Sequence, residues 1–257
     1  MIAIIGGTGV YQLPGAETEE RRLETPYGAI GVTLRRLPDG REIVFAARHG
    51  QGHAVPPHRL PSRALLWGLK ELGVSGILST SAVGTLTEEI PPGTLALLGD
   101  FMDFTKNRPT TFFDGPGVTH VDVTEPYCPT LCAALRAAGE KVGVSLLGRD
   151  VVYVCTEGPR FETPSEIRAY RMLGGDVVGM TQVPEAVLAR ELGIHYAGVA
   201  LVTNLAAGIG GSRPSHGEVL DLMARNGEAV SRLLLQAAAD VGENVLCEHC
   251  PKPEGMS

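Results

Sequence analysis

Met1-Ile2-Ala3-Ile4-Ile5-Gly6-Gly7-Thr8-Gly9-Val10 opens the chain with an apolar, β-branched run that turns into glycine after a few residues. A run of this kind reads as a buried strand ending in a turn where bare backbone is presented. It has no basic segment before it and glycine interrupts it early, so it does not read as a signal peptide. Short runs of the same character recur at residues 43–47, 76–79, 94–98, 151–155, 177–178 and 196–202. Helical patterns lie at residues 61–72, 129–138, 164–173, 184–192 and 215–239, each opened by proline or a capping-type residue. This alternation predicts an α/β fold, with a central mixed or largely parallel β-sheet flanked by helices. Within residues 31–47, Asp39-Gly40 reads as a tight turn joining antiparallel strands.

The chain has 257 residues, 44% of them hydrophobic and 20% charged, enough to bury the core of a single domain. That domain is expected over residues 1–246, followed by a flexible tail at 247–257. A formal net charge of −7, with no Lys/Arg run, argues against a nucleic-acid partner. No stretch is long and apolar enough to span a bilayer, so no membrane partner is expected. The five cysteines do not suggest a disulfide-stapled secreted domain and are expected as free thiols in a reducing cytoplasm. Cys247-Glu248-His249-Cys250 has the spacing of a zinc knuckle. No second ligand pair lies near it in the sequence, so no metal is expected.

Several segments at strand ends carry groups suited to an anion. Gly6-Gly7-Thr8-Gly9 follows the first strand but has neither the GxGxxG spacing of a dinucleotide site nor the lysine of a P-loop. Taken alone it is as readily a tight turn. Arg48-His49-Gly50, with His53 and His58 beyond, ends a second strand at the edge where open α/β sheets bind ligands. A guanidinium can bond two phosphate oxygens at once, although a lone arginine is more often an ion-pair member. Ser79-Thr80-Ser81-Ala82-Val83-Gly84-Thr85 is expected to form a third hydroxyl-rich loop after a strand. Glu157-Gly158-Pro159-Arg160-Phe161-Glu162-Thr163-Pro164, then Asp176-Val177-Val178-Gly179-Met180-Thr181 ahead of Glu185, and Thr203-Asn204-Leu205-Ala206-Ala207-Gly208 complete the set. For Glu157 and Glu185 a capping or ion-paired carboxylate is an equal reading, and Met180 alone would be core packing.

Together these ordered motifs resemble the purine nucleoside phosphorylase and methylthioadenosine phosphorylase family, from Ile4 to about Leu222. The resemblance implies a phosphorylase/hydrolase-like α/β domain, a homotrimer or a dimer of trimers, inorganic phosphate as cosubstrate, and neither cofactor nor metal. It implies that Thr8, Arg48, His49, Ser81, Ala82 and Thr181 hold phosphate, Ala82 through its backbone amide. Met180 would pack beneath the sugar and Phe161 against the base. His49, Glu162 and Asn204 are the implied catalytic residues. Phosphate itself would attack the anomeric carbon through an oxocarbenium-like state, the protein supplying position and charge stabilisation.

The base-reading positions point to a 6-oxopurine. A Glu162 carboxylate can accept from N1–H of hypoxanthine or guanine, whereas the unprotonated N1 of adenine would repel it. Asn204 can bond N7 and the 6-oxo region. In the methylthioadenosine branch the position of Asn204 resembles an aspartate, with a second aspartate two residues on, where this chain has Ala206. His216, in Ser215-His216-Gly217-Glu218, matches the position that bonds the sugar 5′-hydroxyl, which favours inosine and guanosine and a role in purine salvage. The rivals are 5′-methylthioinosine and, further off, methylthioadenosine, because residues 204–212 depart from both branches. A loop at residues 107–116 is a candidate for closing the 5′ end of a neighbouring subunit, and a surface loop otherwise. Two other classes compete: a nucleotide-binding module without turnover, for which no catalytic position is missing, and a hydrolase, which would need no anion loops.

Overall fold

The computed structural model describes residues 1–8, 10, 18–50, 54–211 and 213–250, apart from the side chain of His216. Its nine described strands are β1 (Ile2–Gly6), β2 (Thr18–Thr25), β3 (Gly28–Arg36), β4 (Glu42–Ala47), β5 (Gly76–Thr85), β6 (Leu95–Phe104), β7 (Val151–Thr156), β8 (Val177–Gly179) and β9 (His195–Leu205). The helices are α1 (Ser62–Glu71), α2 (Pro129–Val142), α3 (Pro164–Met172), α4 (Gln182–Glu191) and α5 (His216–Val241).

The sheet runs β2-β3-β4-β1-β5-β8-β7-β6-β9, and β5 also pairs with β9, so its second half closes on itself. Parallel pairs (β1 with β4 and β5, β5 with β9) coexist with antiparallel ones (β3 with β4, β5 with β8, β6 with β9), which makes the sheet mixed. The fold is thus the expected single α/β domain. Every residue of β1 is buried, because neighbours cover it on both edges and helices on both faces. Ala64, Leu66 and Leu69 of α1 and Ala186 and Leu188 of α4 join the core on one side. Leu131 and Leu135 of α2 with Val230, Leu233 and Leu234 of α5 form the core on the other. Capping boxes, Thr163 with Glu166 and Ser215 with Glu218, set the starts of α3 and α5.

The antiparallel turn expected at Asp39-Gly40 joins β3 to β4. Other boundaries move. The segment expected as a loop after residue 79 is strand: β5 continues to Thr85 because β9 runs beside it throughout, with a register shift at Val83/Gly84. Asn204 likewise stands within β9 rather than beyond the strand run expected at residues 196–202. β2, Thr-Glu-Glu-Arg-Arg-Leu-Glu-Thr, is an exposed edge strand without the apolar run that would announce it. At the C-terminus, Cys247 and Cys250 of the expected tail pack against the core beside α2 and α5, while residues 251–257 lie outside the described ones.

Candidate active site

The ends of β1, β4, β5, β8 and β9 meet around one cleft that opens to solvent. Thr8, His49, Ala82, Phe161, Glu162, Met180, Thr181, Asn204 and Ala206 all line it, so residues spread over nearly 200 positions converge. Pro57, Pro159, Val178, Ala207, Pro214 and Val219 complete much of the wall. Val219 belongs to the first turns of α5, which brings the start of that helix to the cleft; His216 lies one turn earlier. His53, Gly9 and Ser212 lie outside the described residues.

Arg48 and Ser81 do not line the cleft; both are buried just behind it. The expected two-pronged guanidinium contact is turned inward. Arg48 Nε and Nη2 donate to the Glu185 carboxylate at 2.5 and 2.9 Å, Nη2 also to Ser79 Oγ (2.6 Å), and Nη1 to the Thr80 carbonyl (2.7 Å). One Nη1–H is left without a partner among the described residues. Burial works against the charge of Arg48, but the adjacent Glu185 carboxylate outweighs it and holds the guanidinium above its ordinary pKa. Glu185, fully buried, also accepts from Tyr196 OH at 2.9 Å. It is ion-paired, one of the two readings its sequence allowed. The network continues through Gln182, whose Nε2 donates to Ser81 Oγ (2.7 Å), which in turn shares a proton with Thr181 Oγ1 at 2.9 Å. A polar floor of Arg48, Glu185, Gln182, Tyr196 and Ser81 therefore supports the cleft residue Thr181.

Gly7 is where the first loop crosses this floor. A Cβ there would lie 2.5 Å from the Thr80 carbonyl and 2.9 Å from Arg48 Nη1, so only glycine permits the approach. His49 Nδ1 lies 2.8 Å from the Val55 carbonyl, which can only accept, so this nitrogen carries the proton.

On the opposite wall, Thr156 Oγ1 donates to Glu162 Oε1 at 2.7 Å. Burial pushes the Glu162 carboxyl above the usual carboxylate range, with the Thr156 bond pulling the other way. Asn204 Oδ1 accepts from Thr203 Oγ1 (2.9 Å) and its Nδ2 donates to the Leu205 carbonyl (2.9 Å), which orients the amide. Phe161 is partly exposed at the rim. Gly158, at φ +65°, lets the preceding turn reach Met180, whose sulfur would sit 2.5 Å from any added Cβ.

Sequence reasoning missed Arg108. Its guanidinium donates to the carbonyls of Met180 (2.7 Å), Val183 (2.8 Å), Thr156 (3.1 Å) and Glu157 (2.7 Å), tying together the two segments that carry Glu162 and Met180. It belongs to the loop at residues 107–116, a candidate for closing the 5′ end of a neighbouring subunit or a surface loop otherwise. That loop is fastened to its own chain, also through Thr111 and Phe112, which donate to Glu191 at 2.7 and 2.6 Å. His58 does not line the cleft.

Residues 1–239 match the family described as the phosphorylase superfamily. The 6-oxopurine nucleoside phosphorylase of Pyrococcus furiosus is 51% identical over 92% of this chain and 91% of its own length. A probable S-methyl-5′-thioinosine phosphorylase of Methanopyrus kandleri is 53% identical over 86% and 85%. Among solved structures, methylthioadenosine phosphorylase from Schistosoma mansoni in complex with adenine superposes with a TM-score of 0.84 at 32% identity, over 94% of this chain and 91% of that one. The resemblance read from the motifs is thereby borne out: the chain belongs to the phosphorylase superfamily, as an enzyme of its purine nucleoside phosphorylase group.

Proposed function

We propose that this enzyme cleaves the N-glycosidic bond of 6-oxopurine nucleosides, inosine and guanosine, with inorganic phosphate, releasing the free base and ribose 1-phosphate. The observation that carries the proposal is that Glu162 and Asn204 line the same cleft as Thr8, His49, Ala82 and Thr181. A base reader and an anion cradle then share one cavity. The name of the Pyrococcus furiosus relative supports the same substrate class.

Phosphate sits among Thr8, His49, the Ala82 amide and Thr181, with Ser81 and the last Arg48 N–H acting from behind the floor. One phosphate oxygen attacks the anomeric carbon as the glycosidic bond opens, and the bond's electron pair leaves on the purine. Glu162 accepts from N1–H, while the Asn204 amide bonds N7 and the 6-oxo edge as negative charge grows there. Because these groups are fixed by Thr156, Thr203 and the Leu205 carbonyl, they need little rearrangement during the reaction. Met180 lies under the sugar, Phe161 against the base, and His216 bonds the 5′-hydroxyl. No cofactor takes part. The enzyme works as a homotrimer in the cytoplasm; the free cysteines fit a reducing compartment, and no helix among the described residues is long and apolar enough to cross a membrane.

A second reading, 5′-methylthioinosine, keeps the same base contacts. Pro214 and Val219 favour it, being apolar wall residues next to the start of α5, as does the name of the Methanopyrus kandleri relative. The test is base release from inosine, adenosine, methylthioinosine and methylthioadenosine, each with and without phosphate. Phosphate-dependent release led by inosine is expected. A lead by methylthioinosine would overturn the 5′ assignment alone, and a lead by either aminopurine would overturn the roles of Glu162 and Asn204. Release without phosphate would mark a hydrolase, and no release under any condition a binding module.

A further inference from the structure

The sequence offered no second ligand pair for Cys247 and Cys250, but the fold supplies one. Cys128 Sγ, one ring nitrogen of His195, Cys247 Sγ and Cys250 Sγ lie within 4.8 Å of one another. We propose that these residues form a structural zinc site, closed by three thiolates and one imidazole, that fastens the C-terminal segment to the core.

A tetrahedral zinc with Zn–S near 2.3 Å and Zn–N near 2.0–2.1 Å has S···N edges of roughly 3.6 Å and S···S edges of roughly 3.8 Å. The contact between Cys128 Sγ and His195 Nδ1 is 3.5 Å, already the length of such an edge. The widest separation in the group exceeds the S···S edge by only about 1 Å, a side-chain adjustment. The backbone holding the ligands is fixed independently of any metal. Cys128 N donates to the Tyr196 carbonyl at 2.7 Å, which sets the start of α2 against the start of β9. Thr130 Oγ1 donates to the Leu246 carbonyl at 3.3 Å, which sets the incoming tail. The C-x-x-C spacing then delivers two sulfurs from one turn.

The chemistry of the donor set selects the ion. Thiolates with one imidazole suit zinc rather than the harder cations, and four protein ligands leave no open position for substrate. Three thiolates, one neutral imidazole and a divalent ion carry one net negative charge. Cys128 is the N-cap of α2, so the unpaired amides of that helix face the charge favourably. None of the four residues lines the active-site cleft. His195 and Asn204 stand near opposite ends of β9, about 30 Å apart at roughly 3.3 Å per residue, so the site acts on stability rather than on chemistry.

The test uses the full chain, purified without a metal-affinity tag under reducing conditions, equilibrated with zinc and freed of excess. Elemental analysis should find about one zinc per chain, and less than about a tenth of that in the Cys247→Ser/Cys250→Ser variant. Cobalt added to the metal-free chain should give thiolate charge-transfer absorption that the variant lacks. A chelator should lower the melting temperature of the wild type and leave that of the variant unmoved, while phosphorolysis by the variant persists as the check on folding. Wild-type zinc no higher than the variant's would overturn the site. So would zinc retained by the variant, or a denatured wild-type chain from a parallel preparation without reductant titrating three thiols instead of five, which would assign the pair to a disulfide.

Discussion

Replacing Glu162 with glutamine changes one atom and separates two kinds of purine. Thr156 Oγ1 donates to Glu162 Oε1 at 2.7 Å, so the glutamine keeps its carbonyl on Thr156 and turns its NH₂ toward the base. A donor then meets the N1–H donor of hypoxanthine, and a hydrogen bond to a charged group is lost. The loss is about 1.5–3 kcal/mol, or roughly 10- to 150-fold in kcat/KM for inosine. Adenine presents an acceptor at N1, so adenosine should improve and the preference should narrow by more than either change alone. Steady-state phosphorolysis of both nucleosides at saturating phosphate reads this directly. Stability should move the other way. Because burial raises the Glu162 pKa, the folded chain binds a proton that the unfolded chain has already lost, and stability falls as pH rises through that interval. The glutamine removes the fall, so the variant should be as stable as the wild type at neutral pH or slightly more so. In the wild type, kcat/KM for inosine should fall on acidification at a pH above the ordinary glutamate range, and the variant should lack that limb. An inosine kcat/KM within about threefold of wild type, or an equal loss on adenosine, would refute the base-reading role.

Asn204→Asp should shift preference toward 6-aminopurines, because a carboxylate can accept from a 6-amino group and repels a 6-oxo one; an unchanged inosine-to-adenosine ratio would remove Asn204 from the base site. Glu185→Ala should destabilise the protein by about 3–5 kcal/mol in chemical denaturation, because it leaves the Arg48 charge buried without its partner. A midpoint unchanged from wild type would mean that solvent, not Glu185, neutralises Arg48.

The sequence resolved features whose cause is local. The apolar run of β1, the proline starts of α2 and α3, and the Asp39-Gly40 turn each carry their signal within a few residues, and all fall where expected. The charged edge strand β2 was not legible, because hydrogen bonding to β3 rather than burial makes it a strand. The extension of β5 through its hydroxyl-rich segment was not legible either. Ser, Thr and Gly suggest a loop until a neighbour pairs with them, and β9 lies more than a hundred residues further along. The family resemblance located nine cleft residues, yet no local feature marked Arg108, whose importance lies in four carbonyls that converge only in the folded chain.

The same limit explains Arg48 and the cysteines, and it has a chemical form. A residue type states what a side chain can bind, but its partner decides what it does bind. A guanidinium at a strand end suits phosphate, yet Glu185, 137 residues away, takes its fork, and what reaches the cleft is order imposed on Thr181 and on the loop at Gly7. A buried pair of this kind would be a poor source of stability compared with apolar packing. Its retention under the cleft is better explained by what it orients: the Ser81 and Thr181 hydroxyls and the loop at Gly7, held in place before substrate arrives and therefore needing no reorganisation when the anion enters.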